Sequence, residues 1–273
     1  MKIRNSALIT LGLVGLMTAA QAQFVLLDDF ESYTTGSAIG GAANWTSTLE
    51  GGPDHTVASE TGNQYLSLSG ANNTHSVFNN GSTLLADGAT GTFFFRMQTG
   101  TAGSHGGVGV SARDALQSGW SDAGAIVRLG DRIDQRPQNV NNLFAYNENS
   151  GTSGTYDAYG TLTVDVWYNV WIVLDNDADR QYDFYIQRDG DATYSTQTQI
   201  GTGLGYRDDA NTVTGSIESV FARTGITNTE TFFDDLYFDG SGQNLVNAVP
   251  EPSAFALLAG LLGLSVAAVR RRS

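Results

Sequence analysis

The chain has 273 residues, 14 Lys and Arg against 28 Asp and Glu, a net charge of −14, and no cysteine. The missing thiols exclude disulfides, zinc–thiolate sites and cysteine nucleophiles. So acidic a surface repels nucleic-acid phosphates, anionic membranes and, unless a cation bridges the two, acidic polysaccharides.

Residues 1–22 begin with Lys2 and Arg4, continue through an apolar stretch from Ala7 to Ala20, and end in Ala20-Gln21-Ala22. A basic start, a short apolar helix and a small-x-small end make a signal peptide, cleaved by signal peptidase between Ala22 and Gln23. The mature region before the tail, 23–249, holds nine arginines and 27 acids, a net charge of −18. It is long enough for one sandwich with a real core.

That region has no long segment of helical period. Short apolar runs alternate with Gly, Asn, Ser, Thr and Asp, the pattern of an all-β sandwich. The expected strands fall at 23–31, 64–70, 74–79, 91–100, 107–113, 124–130, 142–147, 162–175, 181–190, 216–223 and 231–239, and the glycine-rich patches read as loops. On 164–175 the residues Val164, Val166, Tyr168, Val170, Ile172 and Leu174 alternate with a more polar set, so one face is core. After the turn "DNDADR" (175–180), Tyr182, Phe184 and Ile186 repeat the pattern. Pairing Leu174 with Tyr182 aligns both core faces and sets Trp171 across from Tyr185.

Three groups could carry chemistry. Trp167, Trp171 and Tyr185 form a candidate glycan-stacking platform, since residues four apart on a strand lie roughly 13 Å apart. Asp175, Asp177 and Asp179 have the first spacings of a calcium loop. Arg180 and Ile186 stand where such a loop needs glycine and glutamate, which leaves a solvated turn. His55, His75 and His105 lie in polar or glycine-rich stretches without metal spacing and read as surface residues. No Gly-x-Ser-x-Gly elbow, Glu-x-Asp-x-x-Glu strand, Gln-x-His pair or phosphate-binding glycine loop occurs, so the chain reads as a non-enzyme. A polysaccharide hydrolase or lyase is the remote alternative.

The tryptophan-led strand, acidic turn and tyrosine-rich strand ending in Asp189-Gly190, together with "GTFFFRMQTG" (91–100), resemble the sheet strands of laminin-G-like, concanavalin-A-like domains. The resemblance covers roughly 24–240 and implies a two-sheet antiparallel jelly roll over 23–242 that binds glycan or protein. In many jelly-roll carbohydrate-binding modules the first and last strands are neighbours and hold one structural calcium. By that resemblance Asp29 and Glu31 would meet Asp234 and Asp235 around the ion.

The tail, 243–273, contains Pro250-Glu251-Pro252, an apolar run over 254–269, and Arg270-Arg271-Arg272. The run is marginal for a spanning helix, and the arginines would stay cytoplasmic. The arrangement resembles the PEP-CTERM sorting signal. The resemblance implies export from a Gram-negative bacterium, transient anchoring in the inner membrane, and cleavage by exosortase. The protein would then reach the cell surface or extracellular matrix, with a structural, adhesive or glycan-binding role in a biofilm or sheath.

Overall fold

The computed structural model describes residues 23–49, 54–68, 74–100, 106–111, 123–129, 142–147, 155–188, 196–207, 215–224 and 230–249. Residues 1–22, where a signal peptide ending at Ala22 is expected, lie outside these residues. So do Pro250, Glu251, Pro252, the apolar run 254–269 and Arg270, Arg271 and Arg272.

The described residues build two antiparallel sheets. The first runs β13 (Thr198–Gly205), β12 (Gln181–Gln187), β11 (Tyr168–Asp175), β6 (Thr90–Thr99), β15 (Thr231–Asp239), β4 (Asn63–Ser67) and β3 (Thr56–Glu60). Its eighth strand, β1 (Val25–Asp28), pairs with β15. The second runs β10 (Thr155–Thr161), β9 (Asn142–Asn147), β8 (Ala123–Leu129), β7 (Gly106–Ser111), β14 (Ser219–Thr224), β5 (Thr74–Phe78) and β2 (Trp45–Leu49).

Period-2 alternation decides which side chains meet between the sheets. Phe93 and Phe95 of β6, Val170, Ile172 and Leu174 of β11, and Phe184 and Ile186 of β12 pack in one cluster with Val108, Val110, Val127 and Val220 of the second sheet. Each such side chain contributes about 1.5–3 kcal/mol by leaving water. Tyr182 crosses the layer and directs its hydroxyl at the carbonyl oxygens of Ile126 and Tyr146, 3.0 and 2.5 Å away.

The expected hairpin forms, with Leu174 opposite Tyr182 and Trp171 opposite Tyr185. Its first strand is shorter than the alternation suggested. Asp165 has φ +56°, and the strand starts only at Tyr168. This turn is why Trp167 lies beside the sheet rather than within it. First and last strands are neighbours, as expected. β15 contains a bulge between Asp234 and Tyr237, with Asp235 at φ +53°. The extra residue lets the two consecutive aspartates address one partner.

Candidate functional site

On the first sheet, the face away from the core carries a polar row. Gln187 of β12 is opposite Asn169 of β11, Asn169 is opposite Arg96 of β6, and Arg96 is opposite Asp234 of β15. Residues in register on adjacent antiparallel strands share a face. Two amides and a guanidinium thus line up across three strands. Above them opens a cleft of about 440 Å³, lined by Arg96, Asp165, Val166, Trp167, Asn169, Gln187 and Arg188.

Trp167 forms the aromatic wall. Its indole is half-buried, packs edge-on against Tyr65 at 5.4 Å, and carries the Arg96 guanidinium 5.0 Å from the ring centroid. Tyr65 in turn packs edge-on against Phe232 at 5.3 Å. These contacts fix the orientation of the indole. Arg188 lies 5.7 Å from the Tyr168 ring on the other side of the cleft.

The carboxylates behind Arg96 hold it in place. Arg96 Nη1 donates to Asp235 Oδ2 at 3.0 Å and lies 3.6 Å from Asp234 Oδ2. Asp234 Oδ2 also accepts Asn63 Nδ2 at 2.9 Å, and its Oδ1 accepts the Asp235 amide at 2.8 Å. Burial, followed by the neighbouring Asp235 charge, pushes the Asp234 carboxyl up to about 7. Asn63, Arg96 and the Asp235 amide pull the other way. Asp235 is also raised, first by burial, with Arg96 opposing and Asp29 and Glu31 adding to the rise.

The structure revises several expected sites. Asp29 and Glu31 are near enough for their charges to act on Asp235, so the two acidic clusters do come together. Within this group Arg96 is the counter-charge of Asp234 and Asp235. Asp29 Oδ1 accepts the Glu31 amide, Glu31 Oε1 accepts the Gln64 amide, and Asp234 and Asp235 are engaged by Asn63 and Arg96. Among the described residues, no group of three His, Cys, Asp or Glu is arranged to hold a metal ion. The three-membered aromatic platform is also corrected. Trp171 is fully buried beneath the segment after β15, its Nε1 donating to Val246 O at 2.9 Å, with Phe94 edge-on at 5.2 Å. Tyr185 is half-buried, and its hydroxyl accepts Gln243 Nε2 at 3.3 Å. Only Trp167 remains at an open cleft. The 175–180 turn is a hairpin turn in which Asp177 Oδ1 accepts the Asp179 amide.

The histidines are not surface residues where they are described. His55 is fully buried, with Nδ1 2.8 Å from Ser76 Oγ and Nε2 3.4 Å from Thr224 Oγ1. Ser76 Oγ meets Ser47 Oγ at 2.9 Å, and Ser47 Oγ donates to Asp54 at 2.6 Å. Here the carboxylate orients a serine and not the imidazole, so this is no Ser-His-Asp relay. Burial, then the nearby His75, pushes His55 down to about 3. His75 is also fully buried, and His105 lies outside the described residues.

No family model matches the sequence, nor does any curated relative. Among solved structures, the alginate lyase Aly36B in complex with alginate trisaccharide is similar at 16% identity and a TM-score of 0.46, over 80% of this chain and 97% of that one. The carbohydrate recognition domain of Emp46p matches at 10% identity and TM-score 0.46, over 80% and 97%. The exoplasmic/lumenal domain of VIP36, in a form bound to Ca2+ and Man3GlcNAc, matches at 11% and 0.44, over 76% and 89%. At these scores the likenesses do not bear on what this chain binds.

Proposed function

We propose that the protein is an exported β-sandwich of the cell surface or extracellular matrix that binds a glycan in the Trp167 cleft. The observation that carries the reading is the Gln187–Asn169–Arg96 row beside a restrained indole at an open cleft. Planar amides and a guanidinium supply donors and acceptors at fixed positions for sugar hydroxyls. The indole supplies an apolar face for the ring carbons. Among the described residues lining the cleft there are no paired carboxylates, and Asp165 is the one acid. This favours retention of a glycan over its cleavage.

Export rests on the signal-like start, and sorting on Pro250-Glu251-Pro252, the apolar run and the terminal arginines. Signal peptidase and exosortase are the proposed processing partners, with transient inner-membrane anchoring. A purely structural or adhesive role remains the second reading, favoured by the size of the packed core.

The test is titration calorimetry of the full chain against a panel of neutral oligosaccharides, with calcium and with chelator. A binder from the panel should lose at least tenfold in affinity in Trp167→Ala, the loss of one stacking contact with its buried area. Unchanged affinity in that variant, or no binder at all, would leave only the structural role.

A further inference from the structure

On the outward face of the first sheet three rows follow one another along the strands. Thr92 marks the first, Trp171 and Tyr185 the second, and Arg96, Asn169 and Gln187, which line the Trp167 cleft, the third. Residues 243–246 cross this face as a strap. The Asn244 amide donates to Thr92 Oγ1 at 2.9 Å in the first row. Gln243 Nε2 donates to the Tyr185 hydroxyl at 3.3 Å, and Val246 O accepts Trp171 Nε1 at 2.9 Å, both in the second. Leu245 O accepts Gln197 Nε2 at 2.8 Å. Ile186 is opposite Thr198, so Gln197 stands one step on, beside Gln187 of the third row. The strap therefore advances toward the cleft, and the last described residue, Val249, follows it directly.

Pro250-Glu251-Pro252 comes next in the chain. Trp171 and Asn169 are two residues apart on one strand, so the second and third rows are about 7 Å apart. Glu251 is five residues beyond Val246, a reach of at most about 18 Å. It can enter the cleft while the strap stays docked.

The chemistry of the two partners matches. Val249 and Glu251 each precede a proline, which favours extended backbone. Extended proline-bearing segments dock against aromatic rings in grooves, at a low cost in ordering entropy. Trp167 is such a ring, half-buried and held by Tyr65 and Arg96. The cleft is lined by two arginines, Arg96 and Arg188, against one acid, the exposed Asp165. Guanidinium groups and the Asn169 and Gln187 amides present N–H donors to a carboxylate. Glu251 is the one acidic side chain after Asp239.

We propose that Pro250-Glu251-Pro252 occupies the Trp167 cleft of the unprocessed chain, with a proline against the indole and Glu251 against the arginines and amides. Tail and glycan then exclude one another, and removal of the tail opens the site. This consequence for binding rests on the glycan reading, whereas the docking itself does not. By linkage, a glycan that fills the cleft also releases the segment. A segment tethered so closely has an effective concentration of about 1 mM. An intrinsic dissociation constant of about 0.1 mM therefore suffices to fill most of the clefts and to weaken a competing glycan about tenfold.

The experiment compares two full chains in detergent micelles: the wild type, and a variant carrying Pro250→Ser, Glu251→Lys and Pro252→Ser. Trp167→Phe identifies the indole N–H resonance of Trp167. That resonance should differ between the two chains while that of Trp171 stays in place. The peptide Val-Pro-Glu-Pro-Ser, added to the variant, should return it to the wild-type position with a dissociation constant of about 0.1 mM. Coincident Trp167 resonances overturn the docking. So does a shift confined to Trp171, which would put the tail on the strap, or a shift that fades on dilution, which would put it on a second copy. An oligosaccharide bound by the variant should bind the wild type about tenfold more weakly, and equal affinities overturn the gating. If no oligosaccharide binds either chain, the glycan reading fails, while the Trp167 resonance still decides the docking.

Discussion

Asp234 provides the sharpest test of the reasoning about the first sheet. Its carboxyl is 1% exposed and is pushed from 3.8 up to about 7. In the unfolded chain it ionises near 3.8, in the folded chain near 7. Between those values the folded state holds the extra proton, so stability falls as pH rises through that window. A difference of about three units at 1.36 kcal/mol each gives a contribution of about 4 kcal/mol, present at pH 3 and gone by pH 8. The buried histidines act in the opposite sense. His55 and His75 are pushed from 6.5 down to about 3 and about 4. Their contribution is complete above pH 6.5 and is lost as pH falls toward those values. In the wild type the two effects cancel in part between pH 4 and 6.5.

Asp234→Asn separates them. Asparagine keeps an oxygen for the Asn63 amide, and Arg96 keeps its 3.0 Å bond to Asp235. Urea unfolding, followed by tryptophan fluorescence at pH 4 to 8, gives the stability of both proteins. The variant should gain on the wild type by about 4 kcal/mol between pH 4 and 8, and its own stability should rise steeply up to pH 6.5. Parallel curves for the two proteins would refute the assignment of the raised carboxyl to Asp234.

Three further outcomes follow from named contacts. Trp45 Nε1 donates to the buried Asp28 Oδ2 at 2.7 Å, and Tyr33 donates to the same oxygen at 2.7 Å. Trp45→Phe should therefore cost about 2–3 kcal/mol in urea unfolding at pH 7, more than its lost volume alone. Trp171→Phe keeps the edge-on Phe94 contact but removes the bond to Val246 O, so amide exchange over 242–246 should rise about fivefold, the equivalent of about 1 kcal/mol. Unchanged exchange there would mean that Gln197 and Thr92, which also bind this segment, hold it unaided. Mass spectrometry of the protein recovered from the cell surface should find an N-terminus at Gln23 and no Arg270-Arg271-Arg272; an intact arginine tail would end the sorting proposal.

The strands and the site were legible to different depths. Alternation on 168–175 and 181–187 was enough for the hairpin register, because side chains on paired strands must present their apolar sets to one core. The same register implies Asn169 opposite Gln187, so half of the polar row could be read from sequence. Arg96 could not, since it enters through β6, some 70 residues earlier in the chain, whose place beside β11 is a matter of topology. β2, β3, β10 and β13 escaped notice because Thr, Ser, Gly and Gln dominate them and leave little apolar alternation. The burial of Trp171 was hidden for another reason. Nothing local in 167–175 says that residues 244–246 fold back across that indole.

Charge shows the same limit from another direction. Net charge describes the long-range field, which at 0.15 M salt fades within about 8 Å. Recognition happens inside that distance, where individual groups decide. Arg96 is tied to Asp235 and Asp234, so at the proposed glycan cleft it presents directional donors with its charge already balanced. Arg128 and Arg223 are 3% and 7% exposed on the second sheet, so they present little to anything arriving from solvent. One acidic envelope thus encloses arginines of very different availability, and at the Trp167 cleft Arg96 stands beside an indole and two amides at an opening.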